Sequence, residues 1–167
     1  MLTTGDDLTR AGSYYALLRL GDYSTLAQMQ SFLEQSQREP ALQRLRFLSL
    51  SMINAIDGSN LNATDRENTI RQLLKLAKSS TDDLRECAIH ALRTMAPPEA
   101  VPVFVYALDD RVQSIRYDAV LALASIQKKW ELAPSIDTFQ ANESKYISAW
   151  KLWWQSEGKL SYPGTTG

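Results

Sequence analysis

The chain has 167 residues and a mass of 18.8 kDa, with 18 basic and 19 acidic side chains, a net charge of −1 and a pI near 5.8. Its composition, 44% apolar and 22% charged, excludes a disordered chain, and the near-neutral balance argues against a dedicated nucleic-acid or anionic-membrane binder. A single domain of this length buries roughly 70% of the surface of its unfolded chain.

Apolar residues recur at three- and four-residue spacing nearly throughout, and no strand is expected. Met1–Asp7 carries neither a basic n-region nor an apolar h-region, so no signal peptide is expected. The default compartment is then the cytoplasm, with a processed secreted form left open. Arg10 leads a first helix through Leu20. Asp22 precedes a stripe of Leu26, Met29, Phe32 and Leu33. Pro40 stands where a first helical residue belongs and opens a run to Ile56. Asp57–Asn62 reads as a loop, with Gly58 free to take a positive φ. Thr64-x-x-Glu67 reads as a capping box for a helix ending near Lys78. Asp82 or Asp83 caps the next helix, which ends at Met95-Ala96-Pro97-Pro98. Ala100–Leu108 is the longest apolar run, nine residues interrupted by Pro102, whereas a bilayer span needs about 20. Asp109 or Asp110 caps a long helix to about Lys129, and Asn142 caps a last one that stops before Gly158. Residues 158–167 have the composition of a flexible tail.

The most informative feature is an internal repeat. Leu84-Arg85-Glu86-Cys87-Ala88-Ile89-His90-Ala91-Leu92 aligns with Ile115-Arg116-Tyr117-Asp118-Ala119-Val120-Leu121-Ala122-Leu123. With the arginine at position zero, +3 and +6 are alanine, and +4, +7 and +10 are larger apolar residues. Arg46 leads Ser49, Leu50, Met52, Ile53 and Ile56; Arg10 leads Ser13, Tyr14, Ala16, Leu17 and Leu20. The arginines Arg10, Arg46, Arg85 and Arg116 stand 36, 39 and 31 residues apart. Small residues let one helix approach its neighbour closely, and the larger ones fill the seam. A cation in a first helical turn faces the positive end of the helix dipole. An acid or an exposed carbonyl should therefore hold each arginine, with Asp7, Asp82 and Asp110 placed to serve three of the four.

These units resemble HEAT repeats, in particular the short HEAT-like repeats first described in phycobilisome lyases. The resemblance rests on Asp110, Val112 and Arg116-x-x-Ala119-Val120-x-Ala122-Leu123, and on Asp82-x-Leu84-Arg85-x-x-Ala88-Ile89-x-Ala91-Leu92. Leu20-Gly21-Asp22 resembles the turn between two such helices. Leu20-Gly21-Asp22-Tyr23 followed by Ala27, Phe32 and Pro40 also resembles a tetratricopeptide unit, but no second copy follows at 34 residues. The HEAT resemblance implies an all-α fold, a right-handed α-solenoid of about four helical hairpins in one domain over 1–157, used for protein binding. Tyr146, Trp150, Trp153 and Trp154 fall on one helical face. The bland account is a Trp-rich capping helix over about 142–157, and the sharper one is a docking surface. Trp150-x-x-Trp153-Trp154 resembles an ending of bacterial HEAT-repeat proteins.

Residues that would carry chemistry are not assembled. Cys87 is the only cysteine and His90 the only histidine, so neither an intramolecular disulfide nor a metal site of several thiolates or imidazoles can form. The acid pairs Asp6-Asp7, Asp82-Asp83 and Asp109-Asp110 each precede a helix, where capping explains them. No Gly-x-Ser-x-Gly and no phosphate loop is present. No catalytic residue, metal or cofactor is expected. The function expected is a non-enzymatic interaction module for a protein partner. An accessory or lyase-like enzyme and a nucleic-acid binder are the alternatives. If the arginine-led helices line the concave side, positions +1, +5 and +8 face a partner. They include Ala11, Tyr15, Leu18, Phe47, Ser51, Asn54, Glu86, His90, Arg93, Tyr117, Leu121 and Ala124. Tyr15, Phe47, His90, Arg93, Tyr117 and Leu121 are the candidate partner-binding residues. The competing account is a register off by one, which would put this strip in the core.

Overall fold

A computed structural model describes residues 4–25, 28, 43–54, 56, 58–59 and 61–162. The described residues are helical with no strand. Two compact units divide the chain, Met1–Ala91 and Leu92–Gly167. The stripe expected after Asp22 and the helix start at Pro40 lie outside the described residues.

In the first unit, α1 (Thr4–Arg19) packs along α2 (Gln43–Asn54). α1 ends in a Schellman turn. The Asp22 amide donates to the Leu17 carbonyl (2.9 Å) and the Gly21 amide to that of Leu18 (3.0 Å), with Gly21 at φ +78°. Only glycine takes that φ without a Cβ clash, so Leu20-Gly21-Asp22 terminates the helix. α3 (Ala63–Leu76) buries Thr69, Ile70, Leu73 and Leu76. Its cap is Asn62 rather than Thr64: the Asn62 side chain accepts from the Asp65 amide (2.9 Å) and donates to the Asp65 carboxylate (2.6 Å). Both residues are good cap formers, and the reciprocal bond to Asp65 selects the earlier one.

α4 (Asp82–Met95) begins in the first unit and contains the division between the two. In the second unit, α5 (Val101–Ala107) packs on α6 (Gln113–Gln127), and α6 on α7 (Ile136–Trp153). The acids expected to cap α6 lie in the turn before it. Asp110 accepts from the Val112 amide (2.9 Å), and Val112 is the cap residue, without a side-chain bond. α6 closes with Lys128 at φ +56°, the Lys129 amide donating to the Ala124 carbonyl (3.0 Å). α7 starts at Ile136, six residues before Asn142, because Ser135 caps it through the Thr138 amide. The cap signal at Asn142 is expressed as a break inside the helix, with φ −138° and ψ 32°. Past Trp153 the chain makes a π-turn, Trp154–Gly158, and a last helical turn, α8 (Lys159–Ser161). The segment expected to fray from 158 is thus helical to Ser161. Tyr162 accepts a bond from Gln127 (2.9 Å).

The repeat seam is buried in both units. Ala88 and Ala91, with Ile89 and Leu92 beside them, and Ala119 and Ala122, with Val120 and Leu123, are inaccessible to solvent. Ser49, at the +3 position of α2, is equally buried, and among the described residues its hydroxyl has no hydrogen-bond partner. Replacing it with alanine removes an unpaired buried donor and improves helix propensity. Ser49→Ala should therefore stabilise the first unit by about 1 kcal/mol, read as a higher urea midpoint at unchanged slope. α1 departs from the repeat. Ser13, Ala16 and Leu20 are exposed, and Leu18, expected on the wet side, is 1% exposed.

Candidate interaction surface

Two of the leading arginines are held as the dipole argument requires. Arg85 pairs with Asp82 (2.6 Å) and donates to the Ser79 carbonyl (3.1 Å). Arg116 donates to the Asp110 carbonyl (2.7 Å), but its carboxylate is Glu143, which also accepts from Gln113 (2.9 Å). Arg10 is exposed. The side chains of Asp7 and Arg46 lie outside the described residues.

The guanidinium of Arg116 holds the Glu143 carboxyl below the usual glutamate range, with burial acting the other way and Gln113 adding a smaller lowering. A carboxyl depressed in the folded state stabilises above its unfolded pKa and loses that contribution as pH falls through the folded value. Acidification from about pH 4.3 should then erode the stability of the second unit. Glu143→Gln should flatten that slope below pH 4.3, measured as thermal midpoint against pH.

The candidate residues divide between the two units. In the first, Phe47 stands 69% exposed on α2, while Tyr15 on α1 and His90 on α4 are half-buried. In the second, Arg93 is ion-paired to Asp118 (2.9 Å), and Leu121 is half-buried one turn beyond Asp118. The Tyr117 hydroxyl donates to the Pro134 carbonyl (3.1 Å), and its ring packs at 5.1 Å from Phe139. Asp118 thus ties Arg93 to α6, within one turn of Tyr117 and Leu121 in the sequence. Of the other strip positions, Ser51 and Asn54 are exposed, whereas Leu18 and Ala124 belong to the core.

Sequence reasoning overlooked Asp118, a nearly buried carboxylate whose partner lies 25 residues earlier in the chain. Its signal was an acid set between Tyr117 and Ala119 in an otherwise apolar phase. It also overlooked Tyr106, 73% exposed on α5, a helix without a charged residue. On α7, Tyr146, Trp150 and Trp153 are buried and Trp154 is half-buried. Trp150 meets Trp153 edge-on at 5.4 Å, and Lys129 lies over Trp153 at 5.8 Å. On the same helix Glu143 is engaged by Arg116 and Lys151 by Asp109.

Among the described residues no group of three His, Cys, Asp or Glu side chains could hold a metal ion, and no helix is long and apolar enough to cross a membrane. No curated protein matches the chain. Residues 61–140 match the family model of HEAT repeats, a stretch that contains the helices led by Arg85 and Arg116 and supports a HEAT-repeat assignment.

Proposed function

We propose that the chain is a non-enzymatic protein-interaction module. Its hairpins, led by Arg10, Arg46, Arg85 and Arg116, stack as a right-handed α-solenoid of the short, phycobilisome-lyase-like HEAT type over 1–157, closed by the Trp-rich helix. The partner lies along the concave side, on Tyr15, Phe47, His90, Arg93, Tyr117 and Leu121. The observation that carries this reading is Phe47: a large aromatic side chain, 69% exposed, at the +1 position of an arginine-led helix. Aromatic anchors on preformed surfaces bind with little ordering cost. Arg93 and Tyr117, already engaged by Asp118 and Pro134, would serve as a rigid frame, with Leu121 as a contact.

The test is capture of partners by the tagged full chain, quantified by mass spectrometry. Phe47→Ala and Leu121→Asp should each release the same set of proteins, which Arg71→Gln, a change at an exposed ion pair on α3, should retain. Phe47→Ala should leave stability within about 0.5 kcal/mol. Retention of every protein by both variants would remove the strip from function.

A further inference from the structure

In the second unit the end of α6 is tied to the last helical turn, α8. Gln127 donates to the Tyr162 hydroxyl (2.9 Å), and Lys129 pairs with Glu157 at 3.7 Å. Each of the two segments leaves a large apolar side chain outside the core. Trp130, in the 3-10 turn Trp130–Leu132, is 63% exposed, and Leu160 in α8 is 82% exposed. Trp150 and Trp153 are buried and Trp154 is half-buried, so Trp130 is the one exposed tryptophan of the four. Tryptophan is largely buried in most folds, and at binding surfaces it is enriched among the residues that carry the affinity.

The same two segments carry Lys128 and Lys159. Both are exposed, and among the described residues neither ammonium group has an ion-pair or hydrogen-bond partner. Lys128 holds the left-handed position that closes α6, at φ +56°. Glycine or asparagine ordinarily fills that position. A lysine anywhere in the last turn would serve the helix dipole, so the dipole does not account for lysine at the one residue where a side chain is strained. Strain of this kind persists where the side chain has a task. A polyanion is not the ligand that fits. Glu131 and Glu157 are exposed in the same segments, and they would repel the closely spaced phosphates of a nucleic acid or an anionic bilayer. A partner with few negative charges avoids them.

From this juxtaposition we infer that the joined ends of α6 and α8 dock an acidic, apolar peptide segment of a protein partner. Its carboxylates pair with Lys128 and Lys159, and its apolar side chains cover Trp130 and Leu160. The charge complementarity rests on the two unpaired lysines, and the affinity on the exposed tryptophan. None of these residues belongs to the strip that includes Phe47, so the two surfaces fail separately.

The experiment is a subtractive selection from a random library of short displayed peptides. The library is first depleted on the full chain carrying Lys128→Gly, Trp130→Ala and Lys159→Gln, all at exposed positions, and then selected on the unaltered full chain. The survivors should combine two or more acidic residues with an aromatic or aliphatic one. A synthetic copy of the most enriched peptide is then titrated by fluorescence anisotropy. Trp130→Ala should weaken it by about thirty-fold, the loss of a binding anchor. Lys128→Gly and Lys159→Gln should each weaken it by about three- to five-fold, the contribution of one exposed ion pair, whereas Lys128→Arg should retain it. Lys75→Gln, the same loss of charge at an exposed position of α3, should leave it unchanged. Lys128→Gly should lose affinity while its urea midpoint rises, which separates a binding role from a structural one. No surviving peptide, survivors without acidic residues, or affinity indifferent to Trp130→Ala would each overturn the inference. So would binding of the full chain to phosphatidylserine vesicles that depends on Lys128 and Trp130, by assigning the surface to a membrane.

Discussion

Trp150→Ala should cost about 3–5 kcal/mol, the largest loss expected from any single truncation in the second unit. The side chain is wholly buried and stacks edge-on against Trp153. Its removal leaves a cavity that neighbouring rings, fixed in place, cannot refill. Among the described residues the buried indole nitrogen has no hydrogen-bond partner, so packing is the ring's main contribution. Trp150→Phe should accordingly cost much less, because it keeps most of the apolar contact and deletes the unpaired donor. The readout is convenient: all four tryptophans lie between 130 and 154, within the second unit. Urea titration followed by tryptophan emission then reports that unit, and far-UV dichroism reports both. A loss under 1 kcal/mol for Trp150→Ala would mean that the ring is not a core element.

Gly158→Ala should destabilise the same unit by about 1–3 kcal/mol, against the usual preference for alanine in helices. A Cβ at 158 would stand 2.5 Å from Cε3 of Trp154 and 3.1 Å from two ring carbons of Trp153. Trp154 is half-buried. Trp153 is 6% exposed, with Lys129 over its ring, and has little room to rotate. The helix-propensity gain of about 1 kcal/mol is smaller than the overpacking penalty when an aromatic ring must shift. Gly12→Ala is the counterpart of opposite sign. Gly12 lies within α1, and a Cβ there would meet nothing within 4 Å, so the propensity gain should appear undiminished. If both substitutions stabilise, Trp153 and Trp154 do not seat on the glycine.

What could be read in the sequence follows from where the determining interaction lies along the chain. The seam alanines of α4 and α6 were legible because small residues at +3 and +6 fix which face a helix buries. α1 was not. It carries the same spacing of residues, yet buries Leu18 and exposes Ala16, because its phase is set by packing along α2, which its own pattern does not encode. The cap of α3 was ambiguous because Asn62 and Thr64 both satisfy the local rule, and only the bond to Asp65 distinguishes them. The candidate strip was half legible. Exposure of Phe47 agrees with its position in the repeat. Engagement of Arg93 by Asp118 and of Tyr117 by Pro134 depends on partners 25 and 17 residues away, beyond the reach of any helical period. Arg116 shows the same limit: the dipole argument demanded a counter-charge, and the fold supplied Glu143, 27 residues later, with Asp110 contributing its carbonyl.

Two helix ends are built alike and filled differently. At 21 the left-handed residue is glycine; at 128 it is lysine, at φ +56°. A side chain other than glycine, asparagine or aspartate in that conformation carries a steric cost of roughly 1 kcal/mol. The C-terminus of α6 therefore holds a reserve of stability that evolution has not drawn on. Lys128→Gly should recover up to about 1 kcal/mol, visible as a raised fluorescence midpoint, while the same exchange at Lys151 inside α7 should lower it.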